Sequence, residues 1–279
     1  MATTKTWFIT GASSGFGWEW TEAALERGDR VAATARSTDR LAALAERHGD
    51  RVVPLALDVT DRARVLEVVA EAHDRLGRLD VVVNNAGFGH LGMVEELGES
   101  EIRASLETNL LGTLWVTQAV LPVLRAQGSG HLVQVTSEGG VTAFPQFGAY
   151  HAAKWAVEGL SQSLRQEVAG FGIHVTCVEP GPYATEFVAR GLRRSVTLPT
   201  YDPLRDSIDR SSWQVGEVRA TRQAVLALVD AAEPPARLVL GRALAGIEAD
   251  YAERLRTWRE WDPVSLAAFG TGARPTAGL

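Results

Sequence analysis

The sequence contains almost no cysteine and no long apolar run. Cys177 is the single cysteine among 279 residues, which excludes an intramolecular disulfide and a metal cluster held by thiolates. The first residues hold one lysine and lead into a short apolar segment, and no apolar run in the chain is long enough to cross a bilayer. From these absences we expect a cytoplasmic protein without a membrane span, in which Cys177 is a small buried hydrophobic residue.

Positive charge is also scarce. The chain has 28 lysine and arginine residues against 34 aspartate and glutamate residues, a formal net charge of −6. A nucleic-acid partner would demand clustered basic residues, so we expect none. Lysine itself is rarer still, because Lys5 and Lys154 are the only lysines and all other basic residues counted here are arginines. The compact ammonium kept at Lys154 therefore stands out.

Lys154 follows Tyr150 by four residues, a spacing that places both side chains on one face of a helix. A phenol with a pKa near ~10 is a poor acid or base at neutral pH, and a fixed cation beside it lowers that pKa by favouring the phenolate. The pair is thus a candidate proton-transfer device. Taken alone, it is also compatible with an ordinary pair of helix side chains.

A glycine-rich turn lies between a predicted strand and a predicted helix near the start of the chain. The apolar run 7–9 ends at this turn, and the helix pattern begins near Trp18. Glycines there let backbone N–H groups approach a pyrophosphate at the helix N-terminus, although the spacing is neither GxGxxG nor GxxxxGK. The candidate phosphate-binding residues are Gly11, Ser13, Ser14, Gly15, Phe16 and Gly17.

Arg36 directly follows the second predicted strand, about 20 residues after the glycine turn, where a dinucleotide site meets the adenosine ribose. An acidic residue there would bond the 2′-hydroxyl and repel a 2′-phosphate. A guanidinium suits the 2′-phosphate, so Arg36 favours NADP(H) over NAD(H). The alternative is a surface arginine that precedes a helix.

Strand and helix patterns alternate along most of the chain. This order predicts an α/β fold with a single Rossmann-type, doubly wound parallel sheet, helices on both faces and ligands at the carboxyl ends of the strands. We treat residues 1–279 as one domain, with a substrate loop at 182–216 after the sixth strand and a tail at 263–279. The seven predicted strands are 5–10, 31–35, 52–57, 79–83, 131–136, 173–178 and 237–240.

Polar motifs follow several of these strands. Asp58 with Val59 ends one, the segment Asn84–Asn85–Ala86–Gly87 ends another, and Ser137 ends a third. Parallel strands end at one edge of a sheet, so these motifs should meet there. Singly, Asp58 could instead cap the next helix, and Asn84 could bond neighbouring backbone.

Taken together, from Lys5 to about Trp261, these motifs resemble the short-chain dehydrogenase/reductase family. The family's TGxxxGxG turn corresponds to Thr10, Gly11, Gly15 and Gly17, and its NNAG segment to residues 84–87. Its adenine-side acid corresponds to Asp58. Its catalytic asparagine, serine, tyrosine and lysine correspond to Asn109, Ser137, Tyr150 and Lys154.

The resemblance implies hydride transfer between a nicotinamide and a carbonyl or alcohol carbon. Tyr150 would donate a proton to the developing alkoxide, and Ser137 would hydrogen-bond the same oxygen. Lys154 would lower the tyrosine pKa and hold the nicotinamide ribose, and Asn109 would place a water that links the lysine to solvent. The resemblance adds as cofactor-binding residues Val59, Asn85, Ala86, Gly87, Pro180, Gly181 and Thr185.

Aromatic residues on predicted loops suggest a pocket for a bulky apolar ketone. The candidate residues are His90, Phe144, Phe147, Tyr183, Phe187 and Trp213. Core packing could instead absorb part of this set, and His90 could be a solvated loop residue. The Phe88–Gly89 pair and the proline-rich loop look most like the hydroxysteroid and retinol branch of the family. The arginines in the loop could alternatively meet an acidic carrier or form a solvated face.

The family resemblance also implies a homodimer or homotetramer. Trp155 lies nearly opposite the apolar stripe of its predicted helix, which hints at an interface. His151 should project away from Tyr150 toward the surface. A nucleotide-binding sensor or scaffold without turnover is the alternative function, and the complete set of four catalytic-type residues argues against it.

Overall fold

A seven-stranded parallel sheet forms the centre of the computed structural model, which describes residues 4–185, 192–208 and 214–270. The strand order is β3-β2-β1-β4-β6-β7-β9, and every pairing in this sheet is parallel. The strands are β1 Thr6–Ile9, β2 Arg30–Ala35, β3 Val52–Ala56, β4 Val81–Asn84, β5 Gly89–Leu91, β6 Gly130–Val135, β7 Ile173–Pro180, β8 Leu192–Arg194 and β9 Arg237–Leu240. All seven strands predicted from the sequence are present in the seven-stranded sheet, and β5 and β8 pair separately.

Helices cover both faces of the sheet, as the alternating pattern predicts. The helices in the described part of the chain are α1 Gly15–Arg27, α2 Asp39–His48, α3 Arg62–Leu76, α4 Glu99–Leu106, α5 Gly112–Gln127, α6 Gly148–Val168, α7 Asp202–Ser207, α8 Thr221–Asp230 and α9 Leu244–Phe269. A π-helical turn, Glu107–Leu111, joins α4 to α5. Of the described helices, none combines the length and apolarity required to cross a membrane.

Strand β1 supplies the centre of both hydrophobic cores. Trp7 and Ile9 pack into a cluster with α1, α2 and α8, whereas Phe8 points the other way into a cluster with α3, α5 and α6. This alternation follows from the two-residue period of a strand, and the three side chains are fully buried. From β1 the chain adds β2 and β3 on one side of the sheet, and it then crosses over to add β4 on the other side of β1. In such sheets, the crevice at the carboxyl ends of these two strands is where ligands bind.

The turn after β1 is packed tightly against the segment after β4. Gly11 and Gly15 have φ angles of +64° and +56°, in the region that favours glycine. The Asn85 side-chain amide donates to the carbonyls of Thr10 (2.9 Å) and Gly11 (3.1 Å). A Cβ at Gly17 would lie 2.6 Å from that amide nitrogen and would overlap the Gly11 carbonyl oxygen. Asn85 and Gly17 together hold the turn against β4.

Two predicted boundaries differ from the structure. The loop predicted at 182–216 contains strand β8, which pairs in parallel with β5, and helix α7, so part of it is regular structure. The tail predicted to begin at residue 263 is helical up to residue 269, because α9 continues through Pro263. A proline removes its own N–H and strains the preceding turn, but it need not end a helix. Residues 271–279 lie outside the described part of the chain.

Replacing Gly17 with alanine should destabilise the protein by about 1–3 kcal/mol, since the added methyl group collides with backbone that Asn85 already fixes. Gly159 in α6 is the matched control, because its Cβ position is open. Alanine there should be neutral or should stabilise by about 0.5–1 kcal/mol. Urea unfolding of the two variants checks this expectation. Equal free energies of unfolding for Gly17→Ala and the original protein would contradict the packing of this turn.

Candidate active site

Four predicted catalytic residues lie together at the carboxyl edge of the sheet. Tyr150 and Lys154 stand one turn apart on α6, and the Tyr150 hydroxyl is hydrogen-bonded to the hydroxyl of Ser137, directly after β6. The Lys154 ammonium lies 5.7 Å from the centre of the Tyr150 ring and donates to the Val135 carbonyl at 2.8 Å. The helix spacing and the strand end thus meet as the sequence predicts.

Ser137 is held by the backbone on both sides. Its Oγ accepts a hydrogen bond from the Gly139 N–H at 3.1 Å, and it lies 3.4 Å from the carbonyl oxygen of Pro180 at the end of β7. These contacts fix Ser137 between β6 and β7 and leave its hydroxyl in contact with Tyr150. The two hydroxyls can therefore contact one substrate oxygen.

Asn109 occupies the π-helical turn between α4 and α5, where its side chain is fully buried. Its Oδ1 accepts from the Phe88 N–H and its Nδ2 donates to the Phe88 carbonyl, both at 3.0 Å. Single π turns inside helices are frequent at functional sites. Gly87 is required beside it, because a Cβ there would lie 2.6 Å from Asn109 Oδ1 and 3.7 Å from Lys154 Nζ. Asn109 thus fixes the segment after β4 next to the lysine.

Burial dominates the electrostatics of this site. It raises the pKa of Tyr150 to about 12, with the hydrogen bond from Ser137 acting in the lowering direction and the carboxylate of Glu138 in the raising direction. Burial likewise lowers the pKa of Lys154 to about 8, against the raising effect of the Glu158 charge. The pKa of the phenol therefore lies above its usual value, because loss of solvent outweighs the groups that favour the phenolate.

Glu138 is a second titratable group at this edge. It follows Ser137 directly in the sequence. Burial raises its pKa, and a Cβ at Gly181 would lie 3.5 Å from its Oε2. Its negative charge is one reason that the phenol of Tyr150 stays protonated.

The turn after β1 has the features of a phosphate cradle. The residue that precedes α1, Ser14, makes no capping hydrogen bond with its side chain, so that side chain does not occupy the first amides of the helix. Such amides and the helix dipole favour an anion. Thr185 lies against the turn, 3.4 Å from the Cβ position of Gly15. These residues fit the pyrophosphate of a dinucleotide.

Arg36 and Asp58 are neighbours at the exits of β2 and β3. Partial burial of Asp58 acts to raise its pKa, but hydrogen bonds from the Thr60 N–H and hydroxyl and the charge of Arg36 hold it below the usual value. Arg36 is exposed. Helix α3 is capped by Asp61, which accepts from the Arg64 N–H at 3.0 Å. The alternative role for Asp58 as that cap is therefore excluded.

Asn84 and Asn85 differ in their contacts. The Asn84 side chain is buried and donates to the side chains of Thr117 (3.1 Å) and Gln134 (2.9 Å), so it holds the core between β4, α5 and β6. Only Asn85 bonds backbone, at the turn after β1. The suggested backbone role of Asn84 is wrong.

The predicted pocket residues divide between several places. Phe144 and Phe147 pack with Tyr150, Leu91 and Leu192 in a small cluster at the catalytic edge. The Tyr183 ring lies 5.2 Å from the Phe16 ring, edge on, and packs against the core that contains α1. Phe187 and Trp213 lie outside the described residues.

His90 is buried rather than solvated. Its Nε2 lies 2.9 Å from the Ser195 hydroxyl, which donates in turn to Glu101 at 2.7 Å. Glu96 makes similar long-range contacts, because it accepts hydrogen bonds from the Arg205 guanidinium and from the Leu198 N–H, both at 2.7 Å. These bonds fasten residues 192–208 to the region after β4. No sequence motif could reveal them, because the partners are about a hundred residues apart.

His151 is buried as well, contrary to the surface position predicted for it. Its ring lies 4.6 Å from that of Phe144 and 5.9 Å from that of Phe147, and burial lowers its pKa to about 4. Trp155 is half-buried, donates to the Thr142 carbonyl at 3.2 Å and lies beneath Arg254 of α9. The segment between Ser137 and α6 folds back over the start of this helix. The helical periodicity of the sequence cannot predict that this segment buries His151.

Known proteins have similar sequences and similar folds. The family model described as short chain dehydrogenase matches residues 5–194. An oxidoreductase of Botryotinia fuckeliana, BOA17, is 42% identical over 272 residues, which cover 95% of this chain and 99% of that protein.

Two solved structures are similar along most of their length. A short-chain dehydrogenase from Streptomyces avermitilis superposes with a TM-score of 0.88 at 39% identity, covering 96% of this chain and 100% of that one. An alcohol dehydrogenase from Thermococcus sibiricus, solved with 5-hydroxy-NADP, superposes with a TM-score of 0.72 at 29% identity, covering 85% of this chain and 96% of that one. The resemblance is thereby confirmed, and the chain belongs to the short-chain dehydrogenase/reductase family of oxidoreductases.

Proposed function

We propose that this protein is an NADP(H)-dependent ketoreductase that interconverts a bulky apolar ketone and its secondary alcohol. The observation that carries the proposal is the buried hydrogen bond between the Tyr150 and Ser137 hydroxyls, with the Lys154 ammonium beside the phenol. Three such groups at one point can hold a carbonyl oxygen and deliver a proton to it.

The protonation states allow Tyr150 to act as an acid in the reductive direction. With a pKa near 12, Tyr150 carries its proton at neutral pH, and with a pKa near 8, Lys154 is predominantly an ammonium there. The phenol can then act as the acid, and the ammonium stabilises the phenolate that forms. Ser137 donates to the same substrate oxygen. Bound NADP(H) supplies or accepts the hydride, while the chain orients the reactants and provides charge.

Asn109 has a structural part in this arrangement. Its amide holds the Phe88 backbone and so keeps Gly87 against Lys154. We propose that the π turn around Asn109 also places the water that connects Lys154 to solvent. Proton supply to Tyr150 would then run through the lysine.

The cofactor is proposed to follow the exits of the first strands. The pyrophosphate would lie at the N-terminus of α1, the 2′-phosphate against Arg36, and the adenine beside Asp58. The nicotinamide end would lie toward Lys154. The residues proposed to bind NADP(H) are Gly11, Ser13, Ser14, Gly15, Phe16, Gly17, Arg36, Asp58, Val59, Asn85, Ala86, Gly87, Tyr150, Lys154, Pro180, Gly181 and Thr185.

The substrate proposal rests on the apolar wall beside Tyr150. Phe144, Phe147, Leu91 and Leu192 contribute to one cluster with the catalytic phenol. Such a wall stabilises an apolar substituent of the ketone through its removal from water. We also propose that residues 1–279 form one domain and that the protein works as a homodimer or homotetramer, as the family resemblance implies.

Tyr150→Phe should lower turnover at least about 100-fold, because general acid catalysis contributes about 10²–10⁴ and the variant has no phenolic proton. NADPH binding, followed by nucleotide fluorescence, should stay within about twofold, since phenylalanine keeps the ring contacts. Tyr251→Phe on exposed α9 is the matched control and should behave as the original protein. Undiminished turnover in Tyr150→Phe would refute this assignment.

Arg36→Asp should reverse the cofactor preference, because an acidic side chain repels the 2′-phosphate and can bond the 2′-hydroxyl. We expect the ratio of kcat/KM for NADPH to that for NADH to fall at least about tenfold, or about 1.4 kcal/mol. Arg75→Asp on α3, an exposed arginine remote from the strand exits, is the control. An unchanged ratio would mean that Arg36 is only a surface residue.

A further inference from the structure

A buried cluster of charged side chains lies one helical turn beyond Lys154. Glu158 follows Lys154 by four residues on α6, on the side away from Tyr150. Its Oε2 lies 3.1 Å from the Arg237 guanidinium of β9, and the same guanidinium lies 3.4 Å from Oε1 of Glu179 on β7. The two carboxylates are almost fully buried, whereas Arg237 is 42% exposed.

The polar atoms of this cluster are incompletely paired. Among the described residues, the buried atoms Glu158 Oε1 and Glu179 Oε1 have no nitrogen or oxygen hydrogen-bond partner, and the Ser161 hydroxyl has only the Cys177 thiol. The thiol of Cys177 contacts Glu158, and Gln162 contacts the outer side of Arg237. Arg237 therefore serves two carboxylates at once, and it is partly screened by solvent. The negative charge of Glu158 is therefore only partly compensated from that side.

Lys154 is the cation on the inner side. The charged or titratable groups that face it are Tyr150 and Glu158 from its own helix and Cys177 from β7, while Glu138 faces Tyr150. Burial of the ammonium acts against its charge, and Glu158 is the main group that acts the other way. Tyr150, Lys154 and Glu158 thus form one row along α6, each one turn from the next.

We propose that Glu158, held in place by Arg237, is a positioning residue that keeps Lys154 protonated at neutral pH. This inference rests on the proposed role of Lys154 as the cation beside the reacting phenol. Without the Glu158 carboxylate, burial would act on the lysine unopposed, and the neutral amine would not stabilise a phenolate.

Glu179 affects the charge of the cluster. Burial and the charge of Glu158 raise its pKa to about 7, against the lowering effect of Arg237. At neutral pH, Arg237 therefore faces one full carboxylate, Glu158, and a second that is only partly ionised.

The lysine content of the chain allows a direct test. Because Lys5 and Lys154 are the only lysines, the full-length protein labelled with ¹³C at the lysine ε position has two signals from lysine. Lys5→Arg leaves one signal and so assigns Lys154. Its chemical shift against pH reports the pKa of the amine with no substrate, cofactor or turnover involved.

We expect a midpoint near 8 in the original protein. In Glu158→Gln the midpoint should fall by about one unit, a tenfold change in the protonation constant. Glu167→Gln, an exposed change on the same helix, is the matched control and should leave the midpoint unchanged. Glu158→Asp keeps the negative charge, so its midpoint should lie close to that of the original protein.

Arg237→Gln provides an arm of opposite sign, since removal of a cation should raise the midpoint. If Glu158→Gln does not fold, this partly exposed position and Glu158→Asp still decide the question. An unchanged midpoint in Glu158→Gln, or a fall in Arg237→Gln, would overturn the inference. Activity separates the two proposals: turnover with an unchanged midpoint refutes only the role of Glu158, and a shifted midpoint in a protein without turnover refutes only the proposed function.

Discussion

The buried ammonium of Lys154 is the constraint on which the site depends. It donates to the Val135 carbonyl at the end of β6, and this bond ties α6 to the central sheet. The same tie sets the Tyr150 hydroxyl against Ser137, which follows β6 directly. A charge so deeply buried is costly and needs partners. The Val135 carbonyl supplies a polar contact, and the carboxylate of Glu158 supplies the opposite charge.

The sheet and the meeting of the catalytic residues follow from local patterns in the sequence. Apolar runs separated by helical periodicity mark all seven strands of the sheet, and parallel strands end at one edge. The contact between Ser137 and Tyr150 was therefore predictable, although they belong to different elements. The glycine turn was also predictable from the sequence, because few other residues tolerate the backbone conformation of Gly11 or the close contact at Gly17.

What the sequence did not show depends on packing between distant segments. His151 has the helix position of a surface residue, yet the segment bearing Phe144 covers it. The bonds from His90 to Ser195 and from Glu96 to Arg205 join regions that no motif relates. The pKa values differ from expectation for the same reason. Proximity of a lysine to a tyrosine is visible in a spacing of four, whereas the burial that governs their protonation requires the folded chain.

The buried edge of this sheet is proposed to protonate a ketone oxygen while NADPH supplies the hydride. A direct test is the NADPH-dependent turnover of the original protein on a graded series of ketones, from small to bulky apolar, read as loss of absorbance of the reduced nicotinamide. The account predicts one mole of NADPH consumed per mole of ketone, with kcat/KM increasing as the apolar substituents grow. Tight NADPH binding without turnover of any ketone, or of any alcohol with NADP, would contradict it and would indicate a nucleotide-binding protein without this chemistry.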